Sequence, residues 1–344
     1  MKKILFTTII YLVFLSSFAS AQNGFDQLIK SSPADATKLI GNFAEPLFKG
    51  FGTGLNSGWN NTAKTKKFLH FDLRITANVA QVPTGDQSFD VTKIGLSNHL
   101  QLDPSSPTSI APTFGGSKNG ATPLLDILDD NGHKISSFSM PNGVIQYIPA
   151  PNVQLTIGLV KNTDLTIRTT PTLNISDNVG SISMFGFGLK HNIAGDLKVI
   201  PFDLAVAVNY NRIKYSKSLD VKPDNGYQPA PGSQTDFSTQ SFTGTFSGTN
   251  VQVIISKKLL FFTPFLSAGY QTANTNVSIL GNYPVDTSTG YYGTISNPVH
   301  INENSISGFR ADAGFQLNLA ILRIYASVSE GQYLSANAGI GLGF

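Results

Sequence analysis

Charged residues stand at alternate positions in several apolar, strand-like stretches of the chain. In residues 68–80, for example, Asp72 and Arg74 alternate with Leu73 and Ile75. Because a β-strand sends successive side chains to opposite faces, these charges would share one polar face. They could line a pore and select solutes, or they could pair with each other and fill an enclosed interior. The candidate lumen-lining residues are His70, Asp72, Arg74, Arg168, Asp203, Arg212, Arg310, Asp312 and Arg323.

Residue types that support catalysis or bind metals are not clustered in the sequence. The five histidines show no HxxxH spacing and no regular spacing from a carboxylate. The chain has no cysteine, which excludes disulfides, thiolate metal sites and cysteine nucleophiles. The segment Gly115-Gly116-Ser117-Lys118 does not match a phosphate-binding loop. We therefore predict no catalytic residue, no metal site, no cofactor and no enzymatic activity.

The overall charge of the chain points to no nucleic-acid partner. Only 13% of the 344 residues are charged, and the formal net charge is +3, whereas about 25% of residues are charged in a typical soluble protein. Two of the lysines lie at the extreme N-terminus, and no dense basic run follows.

The first 21 residues have the pattern of a secretory signal peptide. Lys2 and Lys3 precede an apolar run over residues 4–15, and Ala19-Ser20-Ala21 is a small-residue cleavage site. No later stretch approaches the roughly 18 apolar residues of a membrane helix. A body that spans a membrane would therefore have to be a closed β-barrel, which satisfies all of its backbone hydrogen bonds internally.

Residues 22–67 are predicted to form an N-terminal segment with one helix over residues 26–50. Ser32 and Pro33 are typical of a helix start, and Pro46 should kink or end the helix before a glycine-rich stretch. This helix is either a plug inside a barrel or a foot in the periplasm. The apolar face that would be buried by a plug comprises Leu39, Ile40, Phe43, Leu47 and Phe48.

From residue 68 onward the period of the apolar residues is two, which is typical of β-strands. The face opposite each apolar row carries Gly, Ala, Ser, Thr and Asn with few charges, which favours an enclosed lumen over bulk solvent. We therefore predict that residues 68–344 form an all-β, transmembrane, up-and-down antiparallel barrel. Residues 123–149 would supply the remaining strands, for a total of 12–14. The strands are expected at about 68–80, 88–98, 152–160, 165–175, 181–193, 200–216, 238–256, 259–279, 304–319, 321–330 and 332–344.

The lengths of the connections between these strands alternate. The long connections 103–151, 217–236 and 281–303 would all lie at one end of an up-and-down barrel, and tight turns dominate the other end. Outer-membrane barrels have long extracellular loops and short periplasmic turns. The pattern predicts the outer membrane of a Gram-negative bacterium, with membrane lipid as a partner.

The chain ends on an alternating apolar strand whose last residue is Phe344. Tyr333, Ile340, Leu342 and Phe344 are predicted to form the signal by which the barrel-assembly machinery recognises the chain. The ring of Phe344 would lie in the aromatic girdle at the periplasmic side.

Several segments resemble an uncharacterised outer-membrane family that is common in Bacteroidetes. They are Glu45–Gly50, Gly54–Asn56, Gly58-Trp59, Asn61–Lys64, Gln154–Thr172 and Phe185–Lys190. More distantly, the chain resembles the long-chain fatty acid transporter (FadL/TodX) superfamily. That resemblance implies a fourteen-stranded barrel, an N-terminal plug and a hydrophobic ligand pocket.

Three functional hypotheses follow from these patterns. The first is an outer-membrane channel that passively admits small hydrophobic or amphipathic compounds past the plug. The second is a structural barrel whose extracellular loops bind a secretion or surface complex. The third is a secreted, water-soluble β-protein in which the apolar rows pack against one another. The oligomeric state and the identity of any ligand stay open.

Overall fold

The computed structural model describes residues 28–29, 32–176, 180–197, 201–288 and 290–343. The predicted signal peptide and Phe344 lie outside these ranges, so the predictions for both stay as they are.

The described chain contains two α-helices and a long series of strands. Helix α1 spans Pro33–Asn56 and helix α2 spans Ile193–Leu197. The strands, in chain order, are β1 (Phe71–Gln81), β2 (Ser88–Asp90), β3 (Leu100–Leu102), β4 (Ile110–Pro112), β5 (Leu124–Leu128), β6 (Lys134–Ser139), β7 (Tyr147–Pro149), β8 (Asn152–Gly158), β9 (Thr163–Ser176), β10 (Gly180–Asn192), β11 (Asp203–Ser218), β12 (Gln228–Pro229), β13 (Ser241–Ser256), β14 (Phe262–Leu280), β15 (Asn282–Ser288), β16 (Tyr291–Ser296), β17 (Val299–Leu319), β18 (Leu322–Glu330) and β19 (Ser335–Gly343).

Ten of these strands close into an antiparallel barrel in the order β1, β8, β9, β10, β11, β13, β14, β17, β18 and β19. The first and last strands pair along their length, from Asp72 opposite Gly343 to Ala80 opposite Ser335. Closure leaves no open edge, which is the condition for a sheet to cross lipid. The predicted fold class, an antiparallel barrel with a short N-terminal helix, is confirmed.

The two faces of the barrel differ in chemistry as the alternation predicts. On β1, Leu73 and Ile75 are exposed on the outside, whereas Asp72 and Arg74 are buried. The same outward apolar row continues around the barrel through Phe187, Leu189, Val208, Val251, Val253, Leu266, Phe309, Val328, Ile340 and Leu342. Large exposed apolar side chains in a continuous band fit a lipid environment rather than water.

The predicted strand number of 12–14 is wrong, since the barrel has ten strands. Residues 88–98 form only the short strand β2 and a single 3₁₀ turn at Val91–Lys93. Residues 123–149 form β5 and β6, which make a sheet with β3 outside the barrel in the order β3, β5, β6, and the short strand β7, which pairs with the end of β1. Their alternating apolar residues, such as Leu125 and Phe138, are buried against helix α1 in the apolar cluster at that end of the barrel. Alternation in so short a run does not distinguish a barrel strand from a strand of a structured loop.

The connections confirm the predicted asymmetry of the two ends. At one end, called the loop end, the connection 82–151 forms a region with β2–β7, here called the loop domain. The connections 219–240 and 281–298 lie at the same end. The opposite end, called the turn end, has the short connections 159–162, 257–261 and 320–321.

Helix α1 starts and ends later in the chain than the predicted helix over residues 26–50. It does not end at Pro46, and it continues through Gly50, Gly52 and Gly54 to Asn56. Glycine lowers helix propensity, but here it allows a close approach to the barrel. A Cβ atom on Gly50 would lie 2.5 Å from the Ile148 side chain, and one on Gly54 would overlap the Cβ of Ala150.

No helix in the described ranges is both long enough and apolar enough to cross a membrane.

Candidate functional site in the barrel interior

Residues 33–67, here called the inner segment, run through the interior of the barrel. Near its middle, the Asn250 amide donates to the backbone oxygen of Asn56 (2.8 Å), and the Asn56 amide donates to the backbone oxygen of Thr272 (3.0 Å). Near the turn end, the backbone N–H of Lys66 donates to Asp164 Oδ1 (2.8 Å). The inner segment is thus held by side chains and backbone of strands on different sides of the barrel.

Arg168 holds the inner segment at the C-terminal end of helix α1. Its side chain is fully buried, and Nη1 and Nη2 donate to the backbone oxygens of Leu55 (3.2 Å) and Ser57 (2.8 Å). Its Nε donates to Gln154 Oε1 (3.0 Å), and its guanidinium carbon lies 3.7 Å from the ring centroid of Trp59. These contacts use the carbonyl groups that a helix leaves unpaired at its C-terminal end.

Trp59 is held by hydrogen bonds to its indole N–H group and to its backbone oxygen. Its indole Nε1 donates to the Leu55 oxygen (2.9 Å), and its own backbone oxygen accepts from Arg74 Nη2 (3.1 Å) and from Gln154 Nε2 (3.3 Å). A buried tryptophan usually has such a partner for its N–H group. This side chain is the only tryptophan in the chain.

Arg310 and Asp312 form a buried ion pair on β17, with 2.7 Å between Nε and Oδ1. Arg310 Nη2 also donates to Ser57 Oγ (3.1 Å) and to Ser329 Oγ (2.7 Å). The other oxygen of Asp312 accepts from Gln252 and Ser267. The pair is satisfied by hydrogen bonds, as a buried ion pair must be if it is not to destabilise the fold.

Toward the turn end, the Asp72 carboxylate is surrounded by three cationic side chains. Its carboxylate lies 3.1 Å from Lys66 Nζ, 3.6 Å from Arg74 Nε and 3.3 Å from Arg323 Nε. It also accepts from the Tyr325 hydroxyl (3.2 Å). A single carboxylate therefore connects the inner segment with strands β1 and β18.

Lys190 is the centre of a second set of polar contacts near the turn end. Its ammonium nitrogen lies 3.1 Å from Asp164 Oδ2 and donates to the backbone oxygens of Thr62 and Lys64, both at 3.0 Å. Opposite, Ser256 Oγ accepts from the Ala63 N–H (2.9 Å).

Seven of the nine predicted lumen-lining residues lie on the inner side of the barrel wall. Asp72, Arg74, Arg168, Arg310 and Asp312 are buried, and Arg323 is partly buried against Asp72. Asp203, at the start of β11, accepts from the Asn192 amide (3.0 Å). These charges mostly bind one another and the inner segment, which corresponds to the second of the two interpretations drawn from the sequence.

Two of the nine residues are placed elsewhere. His70 is exposed in the turn that precedes β1, because the strand starts one residue later, at Phe71. Arg212 is exposed on the outer face of β11, because it lies an even number of residues after the outward Val206 and Val208 and so points to the same face. The prediction that these two residues line the lumen is wrong.

The half of the interior toward the loop end is apolar. Leu39, Ile40 and Phe48 of helix α1 are buried in a cluster with residues of the loop domain and with Val277 and Ile279 of β14. On another side of the helix, Phe43 contacts Phe114 with an edge-on ring geometry and a centroid distance of 6.1 Å. Leu47, the fifth residue of the predicted apolar face, is partly buried beside Phe43.

Polar contacts tie helix α1 to the loop domain. Asp35 accepts from the backbone N–H of Ser97 (2.8 Å). Lys49 lies 3.0 Å from Asp86, which also accepts from the Tyr333 hydroxyl (2.7 Å).

The loop domain also has an ionic contact of its own. The ammonium group of Lys134 lies 2.7 Å from both Asp103 and Asp126, and it holds the pKa of the Asp103 carboxyl well below its usual range.

The residues of the predicted assembly signal occupy different faces of the C-terminal strand region. Tyr333 is buried at the loop end in contact with Asp86, whereas Ile340 and Leu342 are exposed on the outer face. Phe344 lies outside the described residues. The role of these residues in assembly stays a prediction.

Several contact residues were missed by sequence reasoning. Lys190, Asp164, Gln154 and Asn250 occupy inward positions of their strands, so parity alone would have placed them inside. Their partners, the backbone carbonyl and N–H groups of the inner segment, leave no pattern in the sequence. Among the described residues, no group of three or more His, Asp or Glu side chains could hold a metal ion.

The model of one protein family matches residues 1–344. The chain belongs to DUF6588. The description of that family, a family of unknown function, confirms the predicted resemblance to an uncharacterised family. No curated protein matches the sequence.

This DUF6588 chain is similar to several solved outer-membrane barrels at low sequence identity. The protease OmpT from Escherichia coli is 9% identical with a TM-score of 0.34, over 82% of this chain and 100% of that chain. The translocator domain of the autotransporter NalP from Neisseria meningitidis is 10% identical with a TM-score of 0.29, over 90% and 97%. The toluene transporter TbuX from Ralstonia pickettii is 10% identical with a TM-score of 0.28, over 82% and 90%.

The prediction of no enzymatic activity is corrected by the first of these structures. OmpT is an outer-membrane protease. The scattered histidines of this chain are therefore no ground for excluding enzymatic activity. The likeness assigns no activity to this chain.

Proposed function

We propose that this protein is an outer-membrane channel for the passive uptake of small hydrophobic or amphipathic compounds, and that the inner segment is its plug. In the described conformation the plug fills the interior, so a solute passes only when the plug moves. Export by the signal peptide and insertion by the barrel-assembly machinery through the C-terminal strand are part of the same proposal.

The observation that carries the proposal is the division of the interior into two halves. The half at the loop end is lined by the apolar face of helix α1, the loop domain and strands β14 and β17. These apolar side chains are buried between the helix, the loop domain and the wall, so a solute reaches them only when the helix moves, and the surface then uncovered favours hydrophobic solutes. The half at the turn end is polar and closed by the contacts of Arg168, Arg74 and Lys190 with the inner segment.

The polar contacts suit a plug that is held but separable. They are made largely to backbone carbonyl groups of residues 55–64, and a carbonyl that leaves a guanidinium group can be replaced by water or by a polar group of a solute. The apolar cluster at the loop end would open as the helix moves, with the cost of exposing the buried side chains offset in part by solute contacts.

A deletion of residues 23–58 tests the proposal. We expect the deletion variant to show a higher conductance in planar bilayers than the full protein and a faster uptake of a hydrophobic fluorescent probe by cells. Heat-modifiable gel mobility checks that the barrel still folds. A folded deletion variant with unchanged conductance and unchanged uptake would contradict the proposal.

A matched control is a deletion of residues 222–235 from the connection between β11 and β13. This segment lies at the loop end and outside the barrel wall. Its removal should leave the resting conductance unchanged, because it makes none of the contacts that hold the inner segment in the polar half of the interior.

The second candidate function is a surface scaffold that binds a secretion or surface complex through its loops. The observation that favours it is the ordered structure of the loop end, where β2–β7 and the sheet of β12, β16 and β15 form rigid surfaces. Affinity capture with the full protein and with the 222–235 deletion separates the two candidates. Loss of a specific partner, with no change of uptake in either deletion variant, supports the scaffold.

A further inference from the structure

We infer that the inner segment crosses the outer membrane from the external face to the periplasmic face, so that the start of helix α1 is external. The inference depends on the direction in which the inner segment crosses the barrel, and it holds whether or not a solute passes through the interior.

Helix α1 begins at the loop end. Its capping residue Ser32 accepts from the N–H of Asp35, and Asp35 in turn accepts from Ser97 in the loop domain. One turn later, Thr37 Oγ1 donates to the backbone oxygen of Pro298, in the connection that precedes β17 (3.5 Å). Both partners belong to long connections, so the first turn of the helix is level with the loops.

The residues that precede the helix lie at the same level. Leu28 and Ile29 are almost completely buried. Their cluster includes Val277 and Ile279 at the end of β14 and Val299 at the start of β17. These three strand residues border the long connection 281–298. The chain therefore enters the barrel interior from the loop end.

The inner segment leaves the interior at the opposite end. Its Lys66 contacts Asp164, which immediately follows the short turn 159–162, and β1 starts at Phe71 beside the same turn. Within the described residues, the segment therefore crosses the interior once, from the loop end to the turn end, before the barrel begins.

The loop end is the external end, because long connections are extracellular in outer-membrane barrels and tight turns are periplasmic. The first turn of helix α1 is then external, although an exported chain arrives from the periplasm.

This direction restricts assembly. The β1–β19 seam encloses the inner segment, whose two ends lie on opposite sides of the barrel. The segment must therefore enter the interior before the seam closes, or be threaded through afterwards. The exposed residues Pro33 and Ala34, in the first turn of helix α1, are then accessible to reagents that do not cross the membrane.

Single-cysteine labelling tests the inference, and the chain suits it because it has no cysteine of its own. The test variant is Ala34→Cys, at an exposed position in the first turn of helix α1. Asn225→Cys, in the exposed connection at the loop end, is the external control, and Lys258→Cys, in the exposed turn between β13 and β14, is the periplasmic control. Intact and permeabilised cells are treated with a membrane-impermeant maleimide that adds a visible mass.

We expect Ala34→Cys and Asn225→Cys to be labelled in intact cells, and Lys258→Cys only after permeabilisation. Heat-modifiable mobility shows that each labelled variant is folded, and Pro33→Cys replaces Ala34→Cys if the latter does not assemble. Labelling of Ala34→Cys only after permeabilisation would overturn the inference. So would external labelling of Lys258→Cys, because the barrel would then have the opposite orientation. The 23–58 deletion tests the channel separately, so failure of one proposal is distinguishable from failure of the other.

Discussion

Arg168 is a buried guanidinium group with no carboxylate partner among the described residues. Its partners are Gln154, the carbonyl groups of Leu55 and Ser57, and the face of Trp59. Transfer of an unpaired charge from water to a protein interior is costly unless dipoles surround it. Here the C-terminal end of helix α1 supplies them, since its partial negative charge attracts a cation. The residue therefore depends on the inner segment as much as the inner segment depends on it.

Replacement of Arg168 tests this mutual dependence. In Arg168→Gln the shorter side chain cannot reach the Leu55 and Ser57 carbonyl groups, and a buried acceptor without a partner costs about 1–3 kcal/mol. We expect a lower thermal stability together with a red-shifted, more readily quenched fluorescence of Trp59, measured on purified protein in detergent. Because this is the only tryptophan, the signal reports on the inner segment alone.

Arg212→Gln is the matched control for that experiment. Arg212 is a barrel arginine too, but it is exposed on the outer face, where most substitutions change stability by less than about 0.5 kcal/mol. Equal fluorescence in both variants would show that Arg168 does not position the inner segment. The contrast also shows what strand parity can decide: the alternation around Val208 places Arg212 outside, whereas no sequence pattern indicates that Arg168 binds backbone carbonyls.

At the scale of the elements, the glycines of helix α1 determine how closely it packs against the barrel. Gly50 and Gly54, one turn apart, face Ile148 and Ala150, and Gly52 faces Ala273 and Ile306. Neighbours thus stand against both sides of the last turns of the helix. A helix with ordinary side chains on these sides would be too wide for the ten-stranded barrel.

Gly54→Ala and Gly41→Ala should therefore have opposite effects in the same helix. The new Cβ at position 54 overlaps Ala150, and overpacking of this kind costs about 1–3 kcal/mol. At position 41 the nearest atom, Ile301 Cδ1, is 3.8 Å away, and the higher helix propensity of alanine should add up to about 1 kcal/mol. Thermal unfolding followed by circular dichroism measures both. A destabilised Gly41→Ala would show that backbone propensity does not govern this helix.

The elements also show how far the sequence predicts the fold. Long alternating runs, such as β14 and β17, are recognisable because a wrong register would turn every apolar residue to the other face. The short runs at 88–98 and 123–149 are ambiguous, since their apolar residues pack in the loop domain instead. The stretch from Gly50 to Gly54 looks like a loop by composition, and only the nearby barrel wall explains why it is helical. Helix existence and strand faces are therefore predictable, but strand number and the end of the helix are not.

At the scale of the whole molecule, the loop domain, the inner segment and the barrel wall share one apolar cluster. Leu39 and Ile40 of the helix, Leu125 of the loop domain and Val277 of β14 all belong to it. Polar contacts join the same three parts. Lys49 of the helix binds Asp86 of the loop domain, and Asp86 accepts from the hydroxyl of Tyr333, just before β19. A displacement of the helix toward the loop end must therefore move or deform the loop domain, and a ligand that binds the loop domain could favour or oppose opening.

A disulfide tether between the inner segment and the barrel wall tests whether opening needs this displacement. Ser57 follows helix α1 and Ser335 starts β19, and their hydroxyl oxygens are 3.4 Å apart. The double variant Ser57→Cys/Ser335→Cys brings two sulfur atoms within range of a disulfide after small side-chain rotations. We expect the oxidised double variant to take up the hydrophobic probe more slowly than the same protein after reduction, because the end of the helix is then fixed. Uptake by Ser57→Cys alone should change with neither oxidation nor reduction. This single variant also lacks the hydrogen bond from Arg310 to Ser57, so it controls for the loss of that bond. Equal uptake by the oxidised and reduced double variant, with the disulfide demonstrated by mass spectrometry, would show that solutes pass without displacement of the helix.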